Sequence, residues 1–232
     1  VRPGAPGEVR TNPPSMIRVT FLGTAAARPT VGRNVTALAV QREGDLFLFD
    51  CGEGTQRQMM RYQSGFDVRA IFVTHLHADH ILGLPGLLRT MALQGRTDPL
   101  PVYGPPRSRR TLEEVMRLGV ERLPFDVPVA EIEPGGHVQY DEYQIHAIPA
   151  DHGVTAVGWA LLAEDRLGRF DIDAVRAAGV PEGPLFGQLH RGEAIEVDGR
   201  TLDPADFVGP PRPGRKFVFT GDTRPSAAVQ AA

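Results

Sequence analysis

Three histidines and an aspartate fall within six consecutive residues, His75-Leu76-His77-Ala78-Asp79-His80, directly behind the apolar run Ala70-Ile71-Phe72-Val73-Thr74. The whole chain has seven histidines in 232 residues, so this cluster constrains the fold more than any other feature. Side chains that leave the C-terminal end of a buried strand converge on the crevice at the sheet edge. His75 and His77 lie two apart and face the same way in extended backbone. Asp79 and His80 open the helical stretch that follows and point back to the same place. Imidazole nitrogens with a carboxylate suit zinc, and four such donors split as two pairs can start two metal sites. Two metals at about 3.5–4 Å clamp the attacking and leaving oxygens of a phosphodiester. A solvated turn or a satisfied core group is an adequate reading of a lone histidine. It is therefore applied to His137 in a Gly-Gly-His-Val-Gln-Tyr turn, to His146 in a strand and to His190. It leaves a cluster of three behind a buried strand unexplained.

The rest of the chain supplies a sheet edge for this cluster. Apolar runs at Ile17–Gly23, Thr36–Gln41 and Leu46–Asp50 read as three early strands, and a helix is expected after Asp50-Cys51-Gly52-Glu53-Gly54. Ala78–Leu93 reads as helix, with Gly83 and Pro85 as kink points. A strand at Leu100–Gly104 and a helix at Ser108–Gly119 follow, with Ser108 or Thr111 placed to cap it and Gly119 to end it. Strands are expected at Val129–Glu133, Tyr143–Ala150, Ala156–Ala163 and Lys216–Asp222. Strands first, then strand and helix in turn, indicate a layered α/β domain with mixed sheets. Between Glu164 and Arg215 the chain becomes rich in Gly, Pro and charge, with one short helical pattern near Asp171–Gly179. Its apolar residues look too sparse to bury a sheet face, so it reads as an insertion of about 164–215. Residues 1–15 read as a flexible leader, with Met16 a natural start.

A dinuclear site needs more donors than the cluster holds. His152 and Asp222 each follow a later strand in the same topological position, and a carboxylate can give one oxygen to each of two metals, which makes Asp222 the bridging candidate. One cysteine, Cys51, allows no internal disulfide and fits a reducing interior, so the cytoplasm is the expected compartment. Cys51 is read as packing. A formal net charge of −3 gives no global attraction to nucleic acid, so RNA binding would have to come from local patches.

These residues resemble the metallo-β-lactamase fold superfamily and, within it, the ribonuclease Z family of tRNA 3′-processing endonucleases. The superfamily-wide part is Thr74–His80, the His152 strand end and Thr220–Thr223. The narrower part is Phe21–Thr24, Arg33–Ala37, Leu48–Gln58, His80–Leu88, Val102–Pro105 and Gly179–Phe186, in the family's order over nearly the whole chain. The resemblance implies an αββα sandwich with mixed sheets and two zinc ions. His75, His77 and His152 would hold one, Asp79 and His80 the other, and Asp222 would bridge them. It implies that Asp79 orients or deprotonates the attacking water and that Asp50 fixes a histidine tautomer behind the ligands. Pre-tRNA would be the substrate, cut to leave a tRNA 3′-hydroxyl, and the enzyme would be a homodimer.

The segment of about 164–215 corresponds in this resemblance to the family's exosite arm, with Gly183-Pro184-Leu185-Phe186 as a compact turn presenting Leu185 and Phe186 to tRNA. Acids and bases offset one another within it, so phosphate contacts are expected to be local, at His190 and Arg191, or to come from backbone donors. Arg33, Asn34 and Arg57 are the RNA contacts expected nearer the metals. The family's order continues past Ala232 to a further histidine ligand, so this chain is expected to be part of a longer enzyme, incomplete in the C-terminal part of its second half. Two other readings stand beside this one: a different phosphodiesterase of the same fold, for which the long insertion is not needed, and a catalytically impaired RNA-binding fragment.

Overall fold

The alternation of Leu46-Phe47-Leu48-Phe49 builds the centre of the molecule, because successive strand residues point to opposite faces. The computed structural model describes residues 16–119 and 122–230; the leader expected over residues 1–15 lies outside them. Strands β1 (Ile17–Gly23), β2 (Ala37–Arg42) and β3 (Asp45–Phe49) form an antiparallel meander. Strands β4 (Val68–Phe72), β5 (Val102–Gly104) and β6 (Val129–Glu131) extend it in parallel, giving one six-stranded mixed sheet in sequence order. Leu46 and Leu48 face helices α1 (Thr55–Tyr62), α3 (Leu84–Leu93) and α4 (Arg109–Met116), where they join Met59, Leu84, Leu87, Leu88, Met91 and Leu112 in one core.

Phe47 and Phe49 face the other way. There a four-stranded sheet packs, ordered β12 (Lys216–Phe219), β9 (Val157–Ala163), β8 (Tyr143–Pro149) and β7 (His137–Gln139). Phe49 meets Phe217 and Phe219 with ring centroids 5.4 and 6.1 Å apart, and Phe72 meets Trp159 at 5.0 Å. Phe47, Phe49, Phe72 and Trp159 are all fully buried, each stabilising the sandwich by about 1.5–3 kcal/mol. Helix α7 (Ala227–Gln230) lies against β8. No helix among the described residues is long and apolar enough to cross a membrane.

One local expectation is sharpened and two are corrected. The helical stretch after the histidine cluster is two helices, α2 (Ala78–Ile81) and α3, broken at Gly83. A Cβ at Gly83 would lie 2.0 Å from the Gly52 carbonyl, so only glycine lets this chain settle against the turn after β3. His137 belongs to β7, directly opposite His146 of β8, and not to a turn. Ser108 occupies the N-cap position of α4, but its hydroxyl is buried and makes no capping bond, and Gly119 lies beyond the C-cap residue Arg117.

Residues 163–215 form a compact unit of their own. It holds α5 (Ile172–Ala177), α6 (Pro184–His190), the hairpin β10 (Ile195–Val197) and β11 (Arg200–Leu202), and a 3-10 turn at Pro204–Asp206. Its apolar residues cover no large sheet face but do pack: Val175, Val180, Phe186, Leu189 and Ile195 make a small core backed by Phe170, Ile172 and Phe207. The expected Gly-Pro-Leu-Phe turn is the first turn of α6, with Pro184 at its start, where proline's missing N–H costs nothing. Phe186 is only 4% exposed and edge-on to Phe170, so it faces inward and is not presented at a tip. Phe186→Ala is expected to cost this unit about 3–5 kcal/mol. Limited proteolysis should then cut within 163–215 while the fragments from residues 16–162 keep their resistance.

Candidate metal centre

The site sits where β3, β4, β8 and β12 all end. Because β3 and β4 run parallel, the residues that follow them are neighbours, and Asp50 N–H donates to the Phe72 carbonyl at 2.8 Å. Asp50 has φ 58°, a left-handed conformation that few non-glycine residues adopt, though Asp is among them. This turns its carboxylate back under the cluster. There it accepts the Thr74 backbone N–H at 2.7 Å and the Thr74 hydroxyl at 2.8 Å, and lies 2.7 Å from His80 Nδ1. Asp50 and His80 are both fully buried. Burial pushes the Asp50 carboxyl above its usual range, against the opposing pull of His80 and Thr74. The helix end is pinned to the same turn: Cys51 N–H donates to the His80 carbonyl at 2.7 Å, and Gly83 N–H to the Cys51 carbonyl at 2.8 Å. Cys51 itself is buried, its thiol pushed up to about 12 by desolvation, which suits packing and not chemistry.

This network fixes the histidine tautomers. With Nδ1–H of His80 given to Asp50, Nε2 carries the lone pair. It is buried without a hydrogen-bond partner among the described residues, and it points at Asp79 Oδ2 and Asp222 Oδ1, 3.6 and 3.7 Å away. A buried nitrogen lone pair aimed at two carboxylates is unfavourable unless positive charge sits between them. Burial lowers the affinity of His80 for a proton, but Asp50, Asp79 and Asp222 outweigh it and raise its pKa, so negative charge surrounds this imidazole. The single hydroxyl proton of Thr74 goes to Asp50, so its oxygen accepts from His75 Nδ1 at 3.0 Å and leaves His75 Nε2 free for the site.

His75 Nε2 and His152 Nε2 lie 3.0 and 3.2 Å from His77 Nδ1. Nitrogens around a tetrahedral zinc stand about 3.3 Å apart, given Zn–N bonds of about 2.0–2.1 Å. Burial, then the neighbouring His80, His152 and His77, lower the His75 pKa to about 3, which keeps it in the neutral form that a metal takes. The donors thus fall into two groups, His75 with His77 and His152, and His75 with His80 and Asp222. Asp79 stands beside the second group. Its Oδ2 accepts the backbone N–H of Ala27 at 2.7 Å, and Ala27 has φ 59°. The donor set and the unpartnered His80 nitrogen both fit bound metal.

The chain matches the metallo-β-lactamase superfamily over residues 30–229. It is 52% identical over 216 residues to ribonuclease Z of Myxococcus xanthus, covering 93% of this chain and 70% of that protein. It is also 50% identical over 212 residues to ribonuclease Z of Haloferax volcanii, covering 90% and 67%. The chain belongs to the ribonuclease Z family. A crystal structure of human tRNase Z, short form, shares the fold at 34% identity with a TM-score of 0.59, over 65% of this chain and 66% of that one. The chain thus spans about two thirds of the length of these ribonuclease Z family members.

Other expected contacts are placed as follows. Arg33 and Arg57 are exposed, the first in a turn closed by Thr30 N–H to the Arg33 carbonyl at 2.8 Å. Asn34 is occupied: its amide donates to the Glu53 carbonyl at 2.7 Å and ties the loop before β2 to the turn before α1. Within the 163–215 unit, Gly183 and Pro184 are exposed and Leu185 is half-buried. His190 Nε2 lies 3.1 Å from the Gly168 carbonyl and its ring stacks on Phe170, while Arg191 is paired with Glu193 at 3.0 Å. Sequence reasoning missed Thr74, although a hydroxyl beside the first histidine was a usable signal. It also missed Ala27, a backbone donor 52 positions from its acceptor that leaves no mark in residue type.

Proposed function

We propose that the chain is the metal-binding portion of a tRNA 3′-processing endoribonuclease that removes 3′ trailers from pre-tRNA and leaves a tRNA 3′-hydroxyl. The observation that carries this reading is the pair of donor groups at one sandwich edge in a member of the ribonuclease Z family. His75, His77 and His152 would hold one zinc, Asp79 and His80 a second, and Asp222 both. Bound there, the zinc ions would supply Lewis acidity toward the phosphodiester and lower the pKa of water.

The chain's own residues do the rest. Asp79, oriented by the Ala27 amide, holds the attacking water and takes its proton. Asp50 and Thr74 keep His80 and His75 in the tautomers that present Nε2. Arg33 and Arg57 are the phosphate contacts beside the centre. Gly183, Pro184, Leu185 and Arg191 remain the RNA contacts proposed for the 163–215 unit, where Arg191 must exchange Glu193 for phosphate. Phe186 and His190 would act by holding that surface together. A homodimer in the cytoplasm belongs to the same proposal.

The test is zinc content by elemental analysis, together with cleavage of a 3′-extended pre-tRNA. Close to two zincs per chain and a cut after the discriminator nucleotide is the expected result; intact protein without metal would overturn the reading. Arg33→Ala is expected to weaken pre-tRNA binding and to reduce the slope of log affinity against log salt by about 0.7–0.9. An unchanged slope would remove Arg33 from the contacts.

A further inference from the structure

His152 and Asp222 follow β8 and β12, which are not neighbours: β9 lies between them in the four-stranded sheet. No strand ladder therefore joins these two loops directly, although they carry donors from different groups of the metal centre. A separate set of bonds joins them. Asp151 N–H donates to the Thr223 hydroxyl oxygen at 2.9 Å, and Arg224 N–H donates to the Asp151 carbonyl at 2.8 Å. The Thr223 hydroxyl passes its own proton to the Arg224 carbonyl at 2.9 Å, so it is satisfied as donor and acceptor at once. Arg224 also reaches the Asp151 carboxylate at 3.2 Å, but with side chains 72% and 54% exposed this ion pair contributes little. The tie therefore rests on the backbone bond and on Thr223.

Two of the joined residues adjoin a metal donor: Asp151 precedes His152, and Thr223 follows Asp222. We infer that Thr223 is a positioning residue for metal loading. Its hydroxyl locks the His152 loop to the Asp222 loop, so that the three-histidine group and the His80–Asp222 group are formed together before metal arrives. Without it, the backbone bond alone joins the loops, and the remaining ordering must be completed when metal binds and is subtracted from the affinity. The inference rests on the metal-centre reading above and names a residue outside the donor set.

Zinc affinity measured by competition with a chelating indicator tests it, alongside thermal unfolding of the metal-free protein. Thr223→Val keeps the shape but removes the acceptor, and Thr223→Ser retains it. Thr223→Val should bind zinc about 2–10-fold more weakly, the contribution of one ordinary hydrogen bond to ordering the two loops. Thr223→Ser should stay close to the unsubstituted protein. The metal-free unfolding temperature should barely move, because Asp151 is exposed and water can replace the lost acceptor. Equal zinc affinity for Thr223→Val and the unsubstituted protein overturns the inference while leaving the metal centre intact. A fall in affinity matched by a similar fall in metal-free stability also overturns it, since the residue would then be merely structural. An unsubstituted protein that takes up no zinc sinks the metal-centre reading and this one together.

Discussion

Asp50→Ala is expected to destabilise the protein by about 3–5 kcal/mol, the range for removing one partner of a buried charged pair. The carboxylate is the shared acceptor for the Thr74 amide, the Thr74 hydroxyl and His80 Nδ1, all fully or almost fully buried. Alanine leaves three donors without acceptors where no water reaches them, and it must also hold a φ of 58°. Asp50→Asn separates these effects. Asparagine tolerates the left-handed conformation and keeps an oxygen for Thr74, but it removes the charge that holds the His80 proton on Nδ1. Urea denaturation should place Asp50→Asn between the parent protein and Asp50→Ala, and zinc content should fall in both. A loss under about 1 kcal/mol for Asp50→Ala, the worth of one ordinary hydrogen bond, would mean that the cluster is held by something other than this carboxylate.

Asp79→Asn is expected to lower the cleavage rate of 3′-extended pre-tRNA by about 10²–10⁴-fold, the usual contribution of a positioned acid or base. The amide oxygen can still accept from Ala27 N–H, so the side chain should keep its place, but it cannot take a proton from water. Measured at saturating RNA, the loss should appear in kcat with little change in KM, because Asp79 is proposed to act on the attacking water and not on the RNA. Zinc content determined in the same preparation divides the two roles given to this residue. Full occupancy with a slow reaction assigns the loss to proton transfer, and reduced occupancy assigns it to ligation. Cleavage within tenfold of the parent would remove Asp79 from the mechanism.

The parts of the site that residue type can encode were legible. A buried strand ending on four donors, with His152 and Asp222 after later strands, is enough to place a metal centre at a sheet edge, and the structure brings these six side chains to one place. What escaped was carried by backbone or by short elements. Strand β7 is three residues long with alternating exposure, too brief for its periodicity to stand out from the preceding Gly-Gly. The Ala27 and Arg224 amides act across 52 and 73 positions and could have belonged to almost any residue. The small core of the 163–215 unit went unseen because its apolar residues were weighed only against a sheet face. In the structure they need only fill the space between two short helices and a hairpin, around Val175, Val180, Phe186, Leu189 and Ile195.

The aromatic layer between the sheets has a consequence for the chemistry at their edge. His75, His77, Asp79 and His80 hang from the six-stranded sheet, whereas His152 and Asp222 hang from the four-stranded one. Phe49, Phe72, Trp159, Phe217 and Phe219 fill the space between. The thickness of that filling is therefore a calliper set to the width of the metal centre. Donor constellations work only within about 0.5 Å of their productive geometry, and one methylene more or less in a close-packed core is enough to be felt. On the proposed metal-centre reading, the ring sizes in the middle of this protein would be held to the coordination distances at its rim, a tighter tolerance than folding alone would impose.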